Sequence, residues 1–253
     1  MNNVRVIPTL LLKGQGVYKT IKFKNETYVG DPINIVKIFN EKEVDELVFL
    51  DIDATPCVKE PDYDLIKDIA SEAFMPLAYG GGITSLKEVE NILRLGIEKV
   101  IINSSFFRDS DLISSAAKVF GSQSIVVALD FKKNFWGKYE LFSNGGRTKQ
   151  SLSVIEAAHL AQERGAGEII LTSIDRDGTL SGYDLSLIQM VAPEVTIPIV
   201  AQGGASSLDD FAAAIRMGAS AVAAGSFFIY YGKHRAVLVT YPERDDIFSF
   251  LQV

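Results

Sequence analysis

Tyr79-Gly80-Gly81-Gly82-Ile83-Thr84-Ser85-Leu86 and Ala201-Gln202-Gly203-Gly204-Ala205-Ser206-Ser207-Leu208 are two versions of one phrase, and their spacing decides the fold. Gly82 aligns with Gly204, 122 positions further on in a chain of 253. The same offset pairs Ser85 with Ser207, Arg94 with Arg216, Gly96 with Gly218, Ser104 with Ser226, Phe106 with Phe228 and Glu46 with Glu168. Chance supplies one or two such matches but not this many in one register. The chain therefore reads as two similar halves.

Working outward from the repeat, eight short apolar runs are bounded by turn residues: Val4–Leu11, Leu47–Ile52, Pro76–Tyr79, Val100–Asn103, Ile125–Asp130, Ile169–Ser173, Ile197–Ala201 and Ala221–Gly225. Several lack alternation, as parallel strands buried on both faces do. Between them lie amphipathic stretches at Ile33–Glu43, Leu65–Phe74, Leu86–Leu95, Leu112–Phe120, Ser153–Arg164 and Leu208–Met217. Regular βα alternation implies a parallel sheet. Eight units in about 250 residues imply one closed (β/α)₈ barrel over residues 1–253, with a doubly wound open sheet as the structural alternative. The segment Phe135–Gly146 breaks the alternation and reads as a hairpin inserted after strand five.

The formal net charge of -7 and a pI near 5.0 argue against nucleic acid as a partner, while leaving room for a local anion site. A single cysteine, Cys57, fits a reducing compartment. No apolar run reaches membrane-spanning length, and Met1–Leu12 lacks the features of a signal peptide, so the expectation is a cytoplasmic protein with no membrane association. Neither a metal nor a cofactor is expected.

In each half a strand ends in glycines, a helix follows, and the next strand ends in a small polar residue. Glycines let backbone N–H groups approach an anion closely, or merely ease tight βα turns. One candidate set is Gly81, Gly82, Asn103 and Ser104. The other is Gly203, Gly204, Gly225 and Ser226, joined by Asp177 and Gly178. Two such sites suit a phosphorylated substrate with a phosphate at each end. Asp51, Asp53, Asp130, Asp175 and Asp177 lie at or just after strand C-termini, the face that carries barrel active sites. Carboxylates there serve as acids and bases or cap helices. Asp130 ends an uninterrupted apolar run and is the foremost candidate acid. At the opposite strand ends, Arg5, Glu46, Lys99 and Glu168 share one phase. They are predicted to form a self-neutralising ring over the lower mouth, serving either as a gate or for stability alone.

These residues resemble the cyclase subunit of imidazole glycerol phosphate synthase. The resemblance runs from the first strand to about Phe228. It rests on Gly30-Asp31-Pro32, Asp45 to Ile52, Gly80 to Ile83, Lys99 to Asn103, Gly121-Ser122-Gln123, and Gly165 to Glu168 with Leu171 to Gly178. It implies a glutaminase subunit docked on the barrel bottom, and ammonia passing through the barrel to the upper face. In the family an Arg-Glu-Lys-Glu gate covers the channel mouth, which maps onto Arg5, Glu46, Lys99 and Glu168. Gln123 maps to the partner-facing side, and Asp130 and Lys19 to the catalytic face. The family substrate carries two phosphates, and two aspartates close the imidazole ring. Here the first strand reads Pro8-Thr9-Leu10-Leu11-Leu12-Lys13, with Leu11 where the family has an aspartate. Gln202 stands where the family has a small polar residue. The stretch after Phe228 is expected to lack the family's last helix.

Retention of the gate and phosphate motifs with loss of one acid resembles the paralogous branch of surface-polysaccharide biosynthesis. There ammonia is supplied to a separate sugar amidotransferase that builds an acetamidino group on an N-acetylated nucleotide sugar. Two other readings stand beside it: a true cyclase of histidine biosynthesis, and a stand-alone two-phosphate aldose–ketose isomerase. Leu11 argues against the cyclase, and the gate residues against the isomerase.

Overall fold

The computed structural model describes residues 4–251. Its strands are β1 (Arg5–Lys13), β2 (Gly16–Ile21), β3 (Lys24–Gly30), β4 (Leu47–Asp51), β5 (Leu77–Gly80), β6 (Lys99–Ile102), β7 (Ile125–Lys133), β8 (Tyr139–Ser143), β9 (Thr148–Lys149), β10 (Glu168–Ser173), β11 (Ile199–Gln202), β12 (Ala221–Ala224), β13 (Tyr230–Tyr231) and β14 (Ala236–Val237). Its helices are α1 (Pro32–Glu41), α2 (Tyr63–Glu72), α3 (Leu86–Arg94), α4 (Ser104–Arg108), α5 (Asp111–Phe120), α6 (Val154–Glu163), α7 (Leu185–Val191), α8 (Leu208–Arg216), α9 (Ser226–Ile229) and α10 (Arg244–Leu251). Parallel pairing runs β1-β4-β5-β6-β7-β10-β11-β12 and returns to β1, closing a (β/α)₈ barrel from the eight apolar runs.

Because side chains alternate across a strand, each stave has an inner and an outer face. Ile7, Val48, Ala78, Ile101, Val126, Ala128, Ile170, Val200, Ala221 and Ala223 pack together inside the barrel. Their neighbours, among them Leu10, Phe49, Tyr79, Val127 and Leu171, pack against the helices in a larger outer core. Helix starts are fixed by caps. Asp31 accepts from Asn34 N at 2.9 Å with Pro32 opening α1, which accounts for the Gly30-Asp31-Pro32 motif. Ser85 and Ser207, partners in the repeat, both form capping boxes, with Glu88 and Asp210 respectively.

Several expectations need correction. The hairpin after strand five begins earlier than Phe135, because β7 itself runs on to Lys133 and forms the first arm. Asn134 Oδ1 accepts from Trp136 N and Lys138 N, folding Phe135 and Trp136 into an exposed turn. The loop after strand one is a second hairpin, β2–β3, whose first arm, β2, pairs antiparallel with β1 while β3 pairs with β2. Helix α7 was not anticipated, because seven residues between two loops give little periodicity. The C-terminal segment does end in a helix, α10, which packs on α8. Ahead of it Tyr241 stacks on Phe228 at 5.4 Å and donates to Val6 O at 2.9 Å. No helix among the described residues is long and apolar enough to cross a membrane.

Phe211 is fully buried, and its ring meets Phe227 at 5.1 Å, Phe228 at 6.2 Å and Tyr183 at 6.3 Å, fastening α8 to α9. Phe211→Ala should lower stability by about 3–5 kcal/mol, the usual range for emptying such a core site. Urea unfolding checks this, and a loss below about 1 kcal/mol would show that the cluster is not holding the two helices together.

Candidate functional site at the upper barrel face

The glycine turns are built alike in both halves. Gly81 and Gly203 sit at φ of 123° and 94°. A Cβ at Gly81 would lie 2.5 Å from Asp51 O, and one at Gly203 2.7 Å from Ser173 O. The turn backbone thus rests directly on the end of the preceding stave, which no side chain permits. The repeat extends to the residues opening the short helices. Asn103 has φ −115° and ψ −77°, and Gly225 has φ −109° and ψ −68°.

Two clefts open on this face. The larger, of about 1140 Å³, is lined by Gly81, Gly82, Asn103, Ser104 and Asp130. The smaller, of about 410 Å³, is lined by Lys19, Gly178, Gly203, Gly204, Gly225 and Ser226. Each sequence-derived set is therefore gathered into its own cleft, while Asp177 lines both. The Asp177 carboxylate faces the β2–β3 hairpin. It accepts from Thr20 Oγ1 at 2.7 Å and Phe23 N at 3.3 Å, so it braces the hairpin beside the pocket.

Sequence reasoning missed Arg147, an exposed cation in the wall of the larger cleft. It follows Gly145-Gly146 on the hairpin, and nothing in its spacing separates it from a solvated surface charge. Thr172 was also missed. It stands beside Asp130 across the β7–β10 ladder, and only pairing register reveals that.

Of the aspartates at strand ends, Asp51 and Asp175 are occupied with loop backbone. Asp51 Oδ1 accepts from Asp53 N and Ala54 N, and Asp175 Oδ2 from Lys133 N. Asp130 is different. It is half-buried in the cleft wall, and Asn103 Nδ2 donates to Ala128 O at 2.9 Å and to Asp130 Oδ2 at 3.3 Å, fixing the carboxyl there. Burial pushes its pKa from 3.8 up to about 7. The hydrogen bond from Thr172 opposes that rise, and the charge of Asp177 adds to it. A carboxyl poised near neutrality both gives and takes protons readily. Lys19 is buried, donates to Thr9 O, and is lowered to about 8 by desolvation against the pull of Asp177. Leu11 sits half-buried in the walls of both clefts, where it has no proton to offer.

At the other end of the barrel the four charges form a closed ring. Arg5 bonds to both Glu46 and Glu168, and Lys99 Nζ lies 2.8 Å from Glu46 and 3.1 Å from Glu168. The glutamate side chains are only 5% and 7% exposed, and each is compensated by two cations. Gln123 is exposed at the same end, in the 3₁₀ turn Ser122–Ser124 that leads into β7.

A barrel with glycine-walled clefts and, at its C-terminal face, a carboxyl that titrates near neutrality has the layout of an enzyme of this fold. The sequence profile of the histidine biosynthesis protein family matches residues 5–235, and the chain belongs to that family. A Pseudomonas aeruginosa protein, provisionally named imidazole glycerol phosphate synthase subunit hisF2, is 52% identical over 240 residues, covering 94% of this chain and 96% of its own. A provisionally named imidazole glycerol phosphate synthase subunit HisF from Leptospira interrogans is 49% identical over 244 residues, covering 96% of each. The imidazole glycerol phosphate synthase subunit HisF of Streptomyces griseus is 41% identical over 236 residues, covering 93% of this chain and 94% of its own.

The elevated pKa of Asp130 makes stability depend on pH. The native state holds this proton more tightly than the unfolded chain, so the stability it contributes is complete below about pH 4 and is lost as pH rises towards about 7. Between pH 5 and pH 8 the wild type should lose at least about 1 kcal/mol relative to Asp130→Asn, the worth of a single pKa unit. Urea titrations at the two pH values measure it. An unchanged gap would mean that Asp130 is ionised already at pH 5.

Proposed function

We propose that this chain is the synthase-type barrel of a glutamine amidotransferase, acting on a phosphorylated substrate at its upper face. A glutaminase subunit docks on its lower face, and ammonia passes along the barrel axis. The observation that carries this reading is the neutral four-residue ring at one mouth of an apolar interior, with Asp130 at the other. An interior of alanine, valine and isoleucine offers nothing to protonate or hold ammonia. Lys99 can swing aside while Arg5 still bridges both glutamates, so opening strands no buried carboxylate. The names of the relatives, subunits of imidazole glycerol phosphate synthase, support a two-subunit assembly. A stand-alone isomerase has no use for the ring.

Leu11 directs the acceptor chemistry of this proposal. Loss of a positioned acid or base costs about 10²–10⁴-fold in rate. The chain therefore supplies ammonia for acetamidino modification of an N-acetylated nucleotide sugar in surface-polysaccharide biosynthesis, with a third sugar amidotransferase component and in the cytoplasm. The second reading is the cyclase of histidine biosynthesis. It is favoured by the retained Asp130 and Lys19 and by the relatives' names.

Two experiments test these points. With a glutaminase partner bound, Lys99→Ala should alter transfer of glutamine nitrogen while sparing reaction with ammonium salts, and equal loss with both nitrogen sources would remove the gate. With excess ammonium, the wild type should show negligible turnover of the two-phosphate ribulosyl aminoimidazole-carboxamide, and reverting both departures from the family, with Leu11→Asp and Gln202→Ser together, should restore a measurable rate. Robust turnover by the unaltered chain would establish the histidine reading instead.

A further inference from the structure

The two clefts share three wall residues, Leu11, Asp177 and Gln202, which stand where the two adjoin. Asp177 is held in place by Thr20 and Phe23 and presents a negative charge. Leu11 is fixed in the sheet, paired with Leu50 on one side and Tyr18 on the other. Gln202 ends β11, is half-buried, and makes one long contact, accepting from Thr9 Oγ1 at 3.5 Å.

The internal repeat shows what is unusual here. The residue equivalent to Gln202 in the first half is Gly80, 122 positions earlier. A Cβ at Gly80 would lie 2.9 Å from Ile101 O, so the first half carries no side chain at this point of the wall. The second half carries a whole glutamine. The scaffold is two-fold and this side chain is not.

We propose that Gln202, together with Leu11, is a specificity-determining partition. It separates the pocket at Gly204 and Ser226 from the main cleft, so that each takes a phosphate group of its own and no single two-phosphate substrate spans both. This rests on the glycine turns being phosphate sites and sharpens the amidotransferase reading: the ligand of the main cleft carries its phosphate at one end only. A substrate that fills two linked sites gains roughly 10²–10⁴-fold over its separate halves. The partition forfeits that gain for two-ended ligands, and so discriminates against them without any added repulsive group.

The test is binding, not turnover, measured by calorimetry on the full chain. The probes are inorganic phosphate and the two-phosphate ribulosyl aminoimidazole-carboxamide. In the wild type the two-phosphate compound should bind less than about thirtyfold more tightly than phosphate, below most of the linked-site range, and Gln202→Ser should raise that ratio at least about tenfold. Gln202→Glu provides an independent arm. A carboxylate in the wall of the small pocket should weaken inorganic phosphate binding there while the thermal midpoint stays near wild type. A wild-type ratio above thirtyfold, a ratio unmoved by Gln202→Ser, or phosphate binding indifferent to Gln202→Glu overturns the partition. Failure of the amidotransferase reading would appear elsewhere, as equal loss of both nitrogen sources in Lys99→Ala.

Discussion

Strand β1 is the member on which the rest of the structure hangs. It pairs with β12 along its first half, with β4 along its second, and with β2 at its end, so it closes the barrel and launches the first hairpin. Its inward side chains run from one face of the molecule to the other. Arg5 holds both glutamates of the lower ring, Ile7 joins the inner core, Thr9 meets Gln202, and Leu11 stands between the two clefts. Period-two alternation fixes all of these at once. A slip of one residue would turn every one of them outward.

The barrel separates polar from apolar along its axis. Charge is confined to the two mouths, and the section between is aliphatic. At the lower mouth the burial of two glutamates is tolerated because each meets two cations in a closed circuit. At the upper mouth no cation among the described residues is bonded to Asp130. Desolvation therefore wins, and the carboxyl is left titrating near neutrality instead of in the usual carboxylate range. The same physics gives a structural ring at one end and a chemically poised acid at the other.

The two halves share a scaffold and differ in their contents. Glycine turns, capping boxes and the residues before α4 and α9 superpose in conformation, because each solves the same problem of a turn pressed against a neighbouring stave. What lines the clefts does not repeat: Asp130 stands in the larger cleft alone and Lys19 in the smaller, while Leu11 and Gln202 lie in the wall common to both.

The fold was legible in the sequence because local signals agreed with one another. Apolar runs of strand length, amphipathic stretches between them and a repeat at half the chain length all require eight staves. Charges at one strand phase indicated the ring, and glycine spacing indicated the two sets of residues that line the clefts. The short helix α7 and the final helix α10 escaped notice because brief elements carry little periodicity, and α10 is held by packing on α8. Other features belong to tertiary structure alone. Arg147 and Thr172 join the main cleft only once hairpin and register are formed, and the joint wall of Leu11, Asp177 and Gln202 comes from three separate parts of the chain. The pKa of Asp130 likewise depends on burial that the sequence does not record. Sequence periodicity determines which face a residue takes along its own strand, but which residues from distant strands meet, and how dry their meeting place is, depends on closure of the barrel.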